Sequence, residues 1–570
     1  MIPLIRKVIS NRHPPLLPPP HLFLLLSNRS YGSKISHPLE IEVFNECKSG
    51  KIRKLDDALV YFDKLVAMNN DELPSKISKS TTFRLLSSLY KSESYSDVIT
   101  LYRKINGLGK FQPCFFTLNI LINCCCRLKK ADHGFSLIGG MLKRGYDPNI
   151  VTFTSLINGF CLQGKIQSAV DLFDKMIERG VQPNTITCGV MITGLCRVGE
   201  LDRALELLRN MDEWNCGANS ISYSVIIENL CKKGLVDEAM SLYSKMMNDS
   251  KIVPNVFVYT SLINGLCGAD RLSEAIRLFD SMSRRGVNAN SYTYNSLIHG
   301  LCNSDRLNEA VRFFNSMSVR GVSADLYTYS SLINGFCRSG LWKKAIRYFD
   351  KMVGSGIFPD VVTYTSMMRG LCLTGMLEEA HRLFDSMADK GLEQNVYSFT
   401  VLINAYCKRS RLDEAIQLLK KMQKKGFEPN QVTYSALIDG LCKAGDVTTA
   451  QSMLIEMQTY GVSPDIVTYN ALVKGLCIAG NIEEARQLFS EIPNKGLVAD
   501  VVTYNAMIKG MCKQGIFTEA EKLIIEMKNK GCLPDATTYG TIVKGYLESN
   551  NVTKAAEFTK EMGGTSDYIS

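Results

Sequence analysis

The fold is decided by the stretch "VVTYNAMIKGMCKQGIFTEAEKLIIEMKNKGCLPD" (Val501 to Asp535), because its pattern recurs along the chain at a spacing of 35 residues. The stretch before it, "IVTYNALVKGLCIAGNIEEARQLFSEIPNKGLVAD" (Ile466 to Asp500), has the same pattern. Tandem units of this length are typical of a solenoid, in which each unit buries its apolar face against its neighbours. Function is then expected in the positions that vary along the array.

Twelve complete units occupy residues 115–535, and residues are numbered below by their place within a unit. The units begin at Phe115, Ile150, Thr185, Ser220, Val256, Ser291, Leu326, Val361, Val396, Gln431, Ile466 and Val501. The unit that begins at Ser220 has one extra residue. Degenerate repeats are predicted at 39–114 and, as a C-terminal cap, at 536–570.

Each unit has the pattern of two short helices. In the unit from Val361 to Asn395, apolar residues recur at helical spacing in two blocks, separated by Gly375 and closed by Gly391. A small residue, Ala380, recurs in the second block of nearly every unit, and a Met column that includes Met387 lies nearby. The pattern predicts an all-α protein of helix–turn–helix repeats, with the Met column in the core.

The 19 cysteines do not have the spacing of a metal or redox site. Twelve of them occupy the twelfth position of the twelve units, one whole repeat apart, and the chain contains no CxxC pair. Cys at that place is expected to act as a small apolar residue in a helix–helix contact. The six histidines form no common cluster, so the sequence predicts no metal site, no cofactor and no catalytic site.

Net charge and the first residues point to an organelle. The chain has a net charge of +10, but Arg6, Lys7, Arg12, Arg29 and Lys34 precede the first acidic residue, Glu40. About half of the excess therefore lies in the leader, and the mild remainder does not by itself establish nucleic-acid binding. Residues 1–38 are predicted to be a disordered organelle transit peptide, with a proline-rich tail as the alternative.

The recurring motif resembles that of a known family. Tyr-x-x-Leu-Ile-x-Gly-Leu-Cys-Lys-x-Gly, then Leu-x-Glu-Ala and Met-x-x-x-Gly-x-x-Pro-Asp, resembles the pentatricopeptide repeat (PPR) family, specifically its P class. The regular units, the opening Thr117–Leu128 and the leader resemble the restorer-of-fertility-like subgroup of plants. The resemblance implies a right-handed superhelical α-solenoid that binds single-stranded RNA from an organelle, the mitochondrion rather than the chloroplast. A separate processing nuclease is a further implied partner, and no membrane association is expected.

Two polar columns separate this reading from the alternative, a peptide-binding scaffold like the related tetratricopeptide repeats. The fifth column contains Asn119, Thr154, Ser224, Thr260, Asn295, Ser330, Thr365, Thr400, Ser435, Asn470 and Asn505, with Gly189 in the third unit. The terminal column, the last residue of each unit, contains Asn149, Asn184, Asn219, Asn255, Asn290, Asp325, Asp360, Asn395, Asn430, Asp465, Asp500 and Asp535. Helix capping is the alternative role of the terminal column, whereas the fifth column lies inside a helix, where these residues are mediocre helix formers.

Hydrogen-bonding chemistry connects these columns with bases. Ionised Asp only accepts, which suits the N–H of U or G, whereas Asn can donate to the ring nitrogen of A or C. Compact Ser or Thr in the fifth column leaves room for a purine, and Asn reaches a pyrimidine. This agrees with the code of one base per repeat that the resemblance implies. With the N-terminus at the RNA 5′ end, the predicted target is 5′-CANAAUGAAGUU-3′, and Gly189 makes the third position permissive.

Two further columns are predicted to contact the RNA without reading its sequence. By resemblance, the second column clamps bases; it contains Val151, Ile186, Phe257, Tyr292, Tyr327, Val362, Tyr397, Val467 and Val502. The thirteenth column is expected to meet phosphates; it contains Arg127, Arg197, Lys232, Arg338, Lys408, Lys443 and Lys513. The alternatives are ordinary helix burial for the second column and solvated surface charge for the thirteenth.

Overall fold

A computed structural model describes residues 38–67, 79–107, 112–214, 216–248 and 252–565. The described residues form 30 α-helices and one short 3₁₀ helix, Pro493–Lys495, without a β-strand. The predicted leader, 1–38, lies outside the described residues except for Pro38, where the first helix begins. The all-α prediction is therefore confirmed for the part of the chain that is described.

The chain divides into two compact units, Met1–Leu297 and Ile298–Ser570, which are described separately, and the division lies within the helix Ser291–Asn303. The helices up to this division are α1 (Pro38–Ser49), α2 (Leu55–Ala67), α3 (Lys79–Lys91), α4 (Tyr95–Gly107), α5 (Phe115–Arg127), α6 (Ala131–Leu142), α7 (Ile150–Leu162), α8 (Ile166–Glu178), α9 (Thr185–Val198), α10 (Leu201–Glu213), α11 (Ser220–Lys232), α12 (Val236–Asn248), α13 (Val256–Gly268), α14 (Leu272–Arg284) and α15 (Ser291–Asn303). Those that follow are α16 (Leu307–Val319), α17 (Leu326–Arg338), α18 (Trp342–Gly354), α19 (Val361–Leu373), α20 (Leu377–Asp389), α21 (Val396–Lys408), α22 (Leu412–Lys424), α23 (Gln431–Ala444), α24 (Val447–Thr459), α25 (Ile466–Ala479), α26 (Ile482–Glu491), α27 (Val501–Lys513), α28 (Phe517–Asn529), α29 (Ala536–Glu548) and α30 (Val552–Thr565).

Odd-numbered helices are the first helices of the repeats, and even-numbered helices are the second. From α5 to α27, every first helix begins at the first residue of one of the twelve units defined by the sequence. Within each compact unit, consecutive first helices contact each other along their length, whereas a second helix contacts mainly the first helices of its own repeat and the next. The row of first helices is therefore the more closely spaced side of the stack.

Close approach of the first helices depends on a column of glycines at the tenth position. A Cβ atom added to Gly475 of α25 would lie 2.6 Å from both Cβ and Sγ of Cys442 in α23, and one added to Gly510 of α27 would meet Cys477 at the same distances. Real side chains do not approach so closely, so a Cβ atom at Gly475 or Gly510 would force the Cys of the preceding repeat to shift. Nine of the twelve units have Gly at this position, and Cys124, Asn229 and Ala405 occupy it in the other three. This contact confirms that the Cys column packs between helices.

The rest of the core follows the columns seen in the sequence. The Ala column of the second helices, Ala169 to Ala520, is fully buried at every repeat, and Met176, Met282, Met387 and Met457 are fully buried as predicted. Tyr or Phe at the fourth position is buried and contacts second helices, as Phe399 contacts Phe384 of α20 and the Tyr434 hydroxyl contacts Glu456 of α24. All 19 cysteines are free, and burial raises the pKa of Cys161 to about 12, so that this thiol stays protonated.

Both predicted breaks within a repeat are turns with a left-handed residue. Gly375, between α19 and α20, has φ of 86°, and Gly391, after α20, has φ of 70°. Such positive angles are unfavourable for residues that carry a Cβ atom. Each turn lets the chain reverse within a few residues, which keeps the two helices of a repeat antiparallel and short.

Replacing Gly475 by Ala tests the close approach of the first helices. Although Ala is ordinarily the better helix former, we expect Gly475→Ala to destabilise the protein by about 1–3 kcal/mol, because the new methyl group overlaps Cys442. The measurement is thermal unfolding followed by circular dichroism. The matched control is Gly540→Ala, since Gly540 is also inside a first helix but has no atom within 4 Å of its added Cβ. A Gly475→Ala protein that melts at or above the parent temperature would contradict this account.

Candidate nucleic-acid interface

The terminal column caps the first helices. In all twelve units, Oδ1 of the terminal Asn or Asp accepts a hydrogen bond from the backbone N–H three residues later, at 2.8–3.1 Å. The capping role that the sequence left open is therefore present in every unit. These residues are exposed or half-buried, so capping does not remove them from the surface.

Capping uses only one of the two polar atoms of each terminal side chain. The hydrogen bonds to Asp360 and Asp465 from the described residues all go to Oδ1, which leaves Oδ2 as an acceptor. In Asn184 and Asn430, Oδ1 is used in the same way, which leaves the Nδ2 donor. Asp and Asn thus fix the helix identically but present opposite hydrogen-bonding chemistry at the same place. Capping and base selection are compatible roles of one side chain.

The fifth column is mostly buried. Asn119, Thr154, Ser224, Thr260, Asn295, Thr365 and Thr400 are at most 9% exposed, and Ser330, Ser435, Asn470 and Asn505 are half-buried. The fifth column is therefore more buried than the terminal column. The fifth residue is covered because it lies on the first helix opposite the third residue of the next first helix.

Hydroxyl groups of the fifth column are bonded inside the protein. Thr154 Oγ1 lies 2.7 Å from the carbonyl oxygen of Ile150, one turn earlier, and 2.7 Å from Oγ1 of Thr187 in the next repeat. Ser435 has the same two kinds of partner, Gln431 and Thr468. These bonds satisfy buried polar groups, as buried hydroxyls require. They also tie Thr154 and Ser435 to the following repeat.

In two units with Asn in the fifth column, this Asn reaches the terminal Asp of its own unit. Nδ2 of Asn470 donates to Oδ1 and Oδ2 of Asp500 at 3.1 and 3.3 Å, and Nδ2 of Asn505 donates to Oδ1 of Asp535 at 3.1 Å. Burial acts to raise the pKa of both carboxyls. The hydrogen bonds from Thr503 and Asn470, and from Thr538 and Asn505, outweigh it, so each pKa lies below its usual value. Both side chains are therefore ionised acceptors at neutral pH.

Exposed apolar side chains form the second column. Ile186, Phe257, Tyr292, Tyr327, Val362, Tyr397, Val467 and Val502 are 39–65% exposed, and Val151 is half-buried. Ordinary helix burial therefore does not describe them. Sequence analysis missed three members: Phe116, which is half-buried, and Ile221 and Val432, which have 53% and 59% exposure in the same register. Their identical place at the second position was the signal that could have found them. Their role in base stacking stays a prediction.

The thirteenth column is less uniform than expected. Arg127 is half-buried against the ring of Tyr95, and Lys232 and Lys443 form ion pairs with acids one turn earlier, Glu228 and Asp439. Arg338 donates to Asn303. The other three members, Arg197, Lys408 and Lys513, are exposed and form no ion pair with the described residues. These three are the clearest phosphate candidates.

Sequence analysis also missed the third column. Its members are Thr117, Thr152, Thr187, Ser222, Val258, Thr293, Thr328, Thr363, Ser398, Thr433, Thr468, Thr503 and Thr538, all fully or almost fully buried. Most of their hydroxyls bond to the terminal residue before them, as in Thr363 Oγ1 to Asp360 Oδ1 at 2.7 Å. The recurrence of Thr or Ser three residues after an N-cap was the signal available in the sequence.

Among the described residues, no group of three or more His, Cys, Asp and Glu side chains is placed to hold a metal ion. None of the described helices is long and apolar enough to cross a membrane.

The repeats match a family model along most of the chain. The model of the PPR repeat family matches twelve overlapping segments from 113–162 to 499–548, and a second PPR repeat model matches 537–564. The chain belongs to the PPR repeat family. Its repeats can therefore be compared directly with those of other PPR proteins.

Curated PPR proteins of Arabidopsis thaliana share local similarity with this member. A pentatricopeptide repeat-containing protein is 32% identical over 128 residues, which cover 22% of this chain and 20% of the relative. Another, whose name includes the term mitochondrial, is 35% identical over 95 residues, covering 17% and 14%. The matched regions thus span a fifth or less of these relatives.

Solved PPR structures share the fold along nearly the whole chain. The crystal structure of PPR10 from maize has a TM-score of 0.52 at 19% identity and covers 99% of this chain and 98% of that one. PPR10 in complex with an 18-nt psaJ RNA element has a TM-score of 0.50 at 21% identity, covering 99% and 92%. These similarities show that the helices form a PPR solenoid.

Proposed function

We propose that this PPR protein binds a single-stranded organellar RNA in a sequence-specific manner, one base per repeat, with the target 5′-CANAAUGAAGUU-3′. The observation that carries the proposal is the second polar atom of the terminal column, an acceptor in Asp and a donor in Asn, set at regular steps by an identical helix cap. A regular series of such atoms offers the hydrogen-bonding difference that separates U and G from A and C.

Neighbouring features support the same reading. The exposed second column places an apolar side chain at the start of each first helix, three residues from the fifth residue, where it can clamp a base. The exposed cations Arg197, Lys408 and Lys513 can meet phosphates. PPR10, which shares the fold, is solved with RNA.

The cellular role follows from occupancy of the RNA rather than from chemistry by this chain. A protein bound to about a dozen nucleotides can block exonucleases or translation, stabilise a transcript, or mark a processing site for a separate nuclease; no catalytic step is assigned to it. The mitochondrion is proposed as the compartment, because the leader is basic and curated relatives are named mitochondrial, with the chloroplast as the alternative. The P-class, restorer-like subgroup belongs to the same proposal.

Binding of the predicted target is the first test. We expect the purified protein to bind fluorescently labelled 5′-CANAAUGAAGUU-3′ more tightly than a scrambled RNA of equal composition, as measured by anisotropy. If three cations meet phosphates, affinity should fall about 20-fold between ~50 and ~200 mM salt. Equal affinity for target and scrambled RNA would contradict sequence-specific binding, and no affinity for either would favour the peptide-binding scaffold.

Asp500→Asn tests the terminal column. Because Asn caps a helix as well as Asp does, the fold should be retained, while the acceptor that faces the eleventh base becomes a donor. We expect preference at that nucleotide to move from U towards C, with a change in relative affinity of about tenfold. The matched control is Asp535→Asn, which should alter only the twelfth nucleotide. A variant that ranks U and C at nucleotide eleven as the parent does would refute the code assignment.

Tyr397→Ala tests the second column. Loss of the ring should weaken binding of target and scrambled RNA by a similar factor, about tenfold, because stacking does not depend on base identity. The control is Tyr460→Ala, which removes a ring of comparable exposure, 56% against 48%, at the end of a second helix. If both variants bind RNA with parent affinity, the second column does not clamp bases.

A further inference from the structure

A buried hydroxyl connects the fifth and terminal columns, called here the two selector columns, across the boundary between repeats. The third column is Thr or Ser in every first helix from α5 to α29 except α13, where Val258 replaces it. These side chains have essentially no exposed surface. Thr is a mediocre helix former, and a buried hydroxyl is costly unless it is hydrogen-bonded. Its recurrence therefore needs a reason other than helix formation or apolar packing.

In units with Asn in the fifth column, the hydroxyl orients the amide. Thr503 Oγ1 donates to Oδ1 of Asn470 and also lies 2.9 Å from Oδ1 of Asp500. Because Oδ1 of Asn470 faces Thr503, its Nδ2 points to the carboxylate of Asp500. The same arrangement recurs in the next unit, where Thr538 donates to Asn505 at 2.6 Å. A flipped amide would place two acceptor oxygens side by side, so the hydroxyl decides the polarity of the selector.

In units with Ser or Thr in the fifth column, the hydroxyl decides where the protons go. Thr363 Oγ1 lies 2.7 Å from Oδ1 of Asp360 and 2.6 Å from Ser330 Oγ, which itself lies 2.7 Å from the carbonyl oxygen of Leu326. Only two hydroxyl protons, one from Thr363 and one from Ser330, are available for these three contacts. The charged Asp360 is the strongest acceptor, so Thr363 donates to it. Ser330 then shares its own proton between Thr363 Oγ1 and the carbonyl oxygen of Leu326. Ser330 is then left with a lone pair, not a proton, for any further partner.

We propose that the third residue of the next repeat is a positioning residue for base selection. Three side chains, rather than two, then determine which base is preferred at each nucleotide. The inference rests on the function proposed above. The third residue does not touch the base; it fixes which atoms of the fifth and terminal residues are available to it. Specificity at one nucleotide is therefore shared by two adjacent repeats.

Two units with Ser or Thr in the fifth column lack this connection. In the unit that precedes Val258, Ser224 Oγ contacts Oδ1 of Asn255 directly, at the long distance of 3.4 Å. In the unit that precedes Ser398, the Ser398 hydroxyl turns to the carbonyl oxygen of Asn395 at 2.8 Å, and Thr365 bonds only to its own helix. Both units have the selectors of an A-reading unit without the connection. We expect them to be less selective than the unit in which Thr260 contacts Thr293 at 2.7 Å.

Thr503→Val provides the test, with the RNA target varied to all four bases at nucleotide eleven. Val removes the hydroxyl at nearly constant volume, and Val258 shows that the site accepts it. We expect the preference for U to fall about two- to tenfold, the worth of one hydrogen bond, while the remaining eleven positions are unaffected. Thr503→Ser, which restores the hydroxyl, should keep the parent ranking. Melting temperatures show whether each variant is folded.

Val258→Thr is the reverse experiment. It adds a hydroxyl instead of removing one, so its result does not depend on whether the fold tolerates the loss of a hydrogen bond. It should strengthen the preference for A at nucleotide four by a similar factor. Thr503→Val and Val258→Thr proteins that rank the bases as the parent does would overturn the inference, while discrimination by the parent and by Asp500→Asn would leave the proposed function standing. An equal loss of affinity for all four bases would assign Thr503 to the fold alone, which also overturns it. Failure of the parent to distinguish target from scrambled RNA would refute the proposed function itself.

Discussion

The close approach of consecutive first helices is the constraint on which the rest of the structure depends. Glycine at the tenth position accepts the Cys side chain of the preceding repeat, with 2.6 Å between Cys442 and the place that a Cβ of Gly475 would occupy. Only at this spacing can a hydroxyl on one helix reach a selector side chain on the helix before it, as Thr468 reaches Ser435. Packing and polar chemistry are therefore parts of one arrangement, since a larger residue in the Gly column would separate the selector columns as well as the helices.

Helix capping gives the terminal column its precision. A side chain on a loop would sample several rotamers, but the Oδ1 atom of each terminal residue is held by a backbone N–H, which fixes the direction of the second polar atom. Exchanging Asn for Asp then changes donor for acceptor without changing the helix. This explains how a repeat can keep a constant fold while its chemistry varies from unit to unit.

Much of the fold could be predicted from the sequence, because the period, the Gly-containing turns and the Ala, Cys and Met columns all have local physical causes. The first residue of each first helix, from Phe115 to Val501, was predictable for the same reason.

Burial of the fifth column was not predictable, since position within one helix does not reveal which face the next repeat covers. The ion pairs of Lys232 and Lys443 and the ring contact of Arg127 were missed because the thirteenth column was considered without its neighbours one turn away or in the preceding repeat. The third column was overlooked because Thr at a helix start has an ordinary explanation, capping, that conceals its contact with another repeat.

The hydrogen bonds that cross each repeat boundary have a consequence for exchanging parts between such proteins. A segment cut from the first to the last residue of a repeat would leave Asn470 and Asp500 behind without Thr503, and would import a foreign hydroxyl for the selectors of its new neighbour. The transferable unit is offset from the visible one, running from the fourth residue of one repeat to the third residue of the next. By the same logic, the helix pair α29 and α30 does more than cap the array. Its Thr538 hydroxyl contacts Asn505 and Asp535, the selector pair of the twelfth unit, although the repeat of Thr538 has no assigned base.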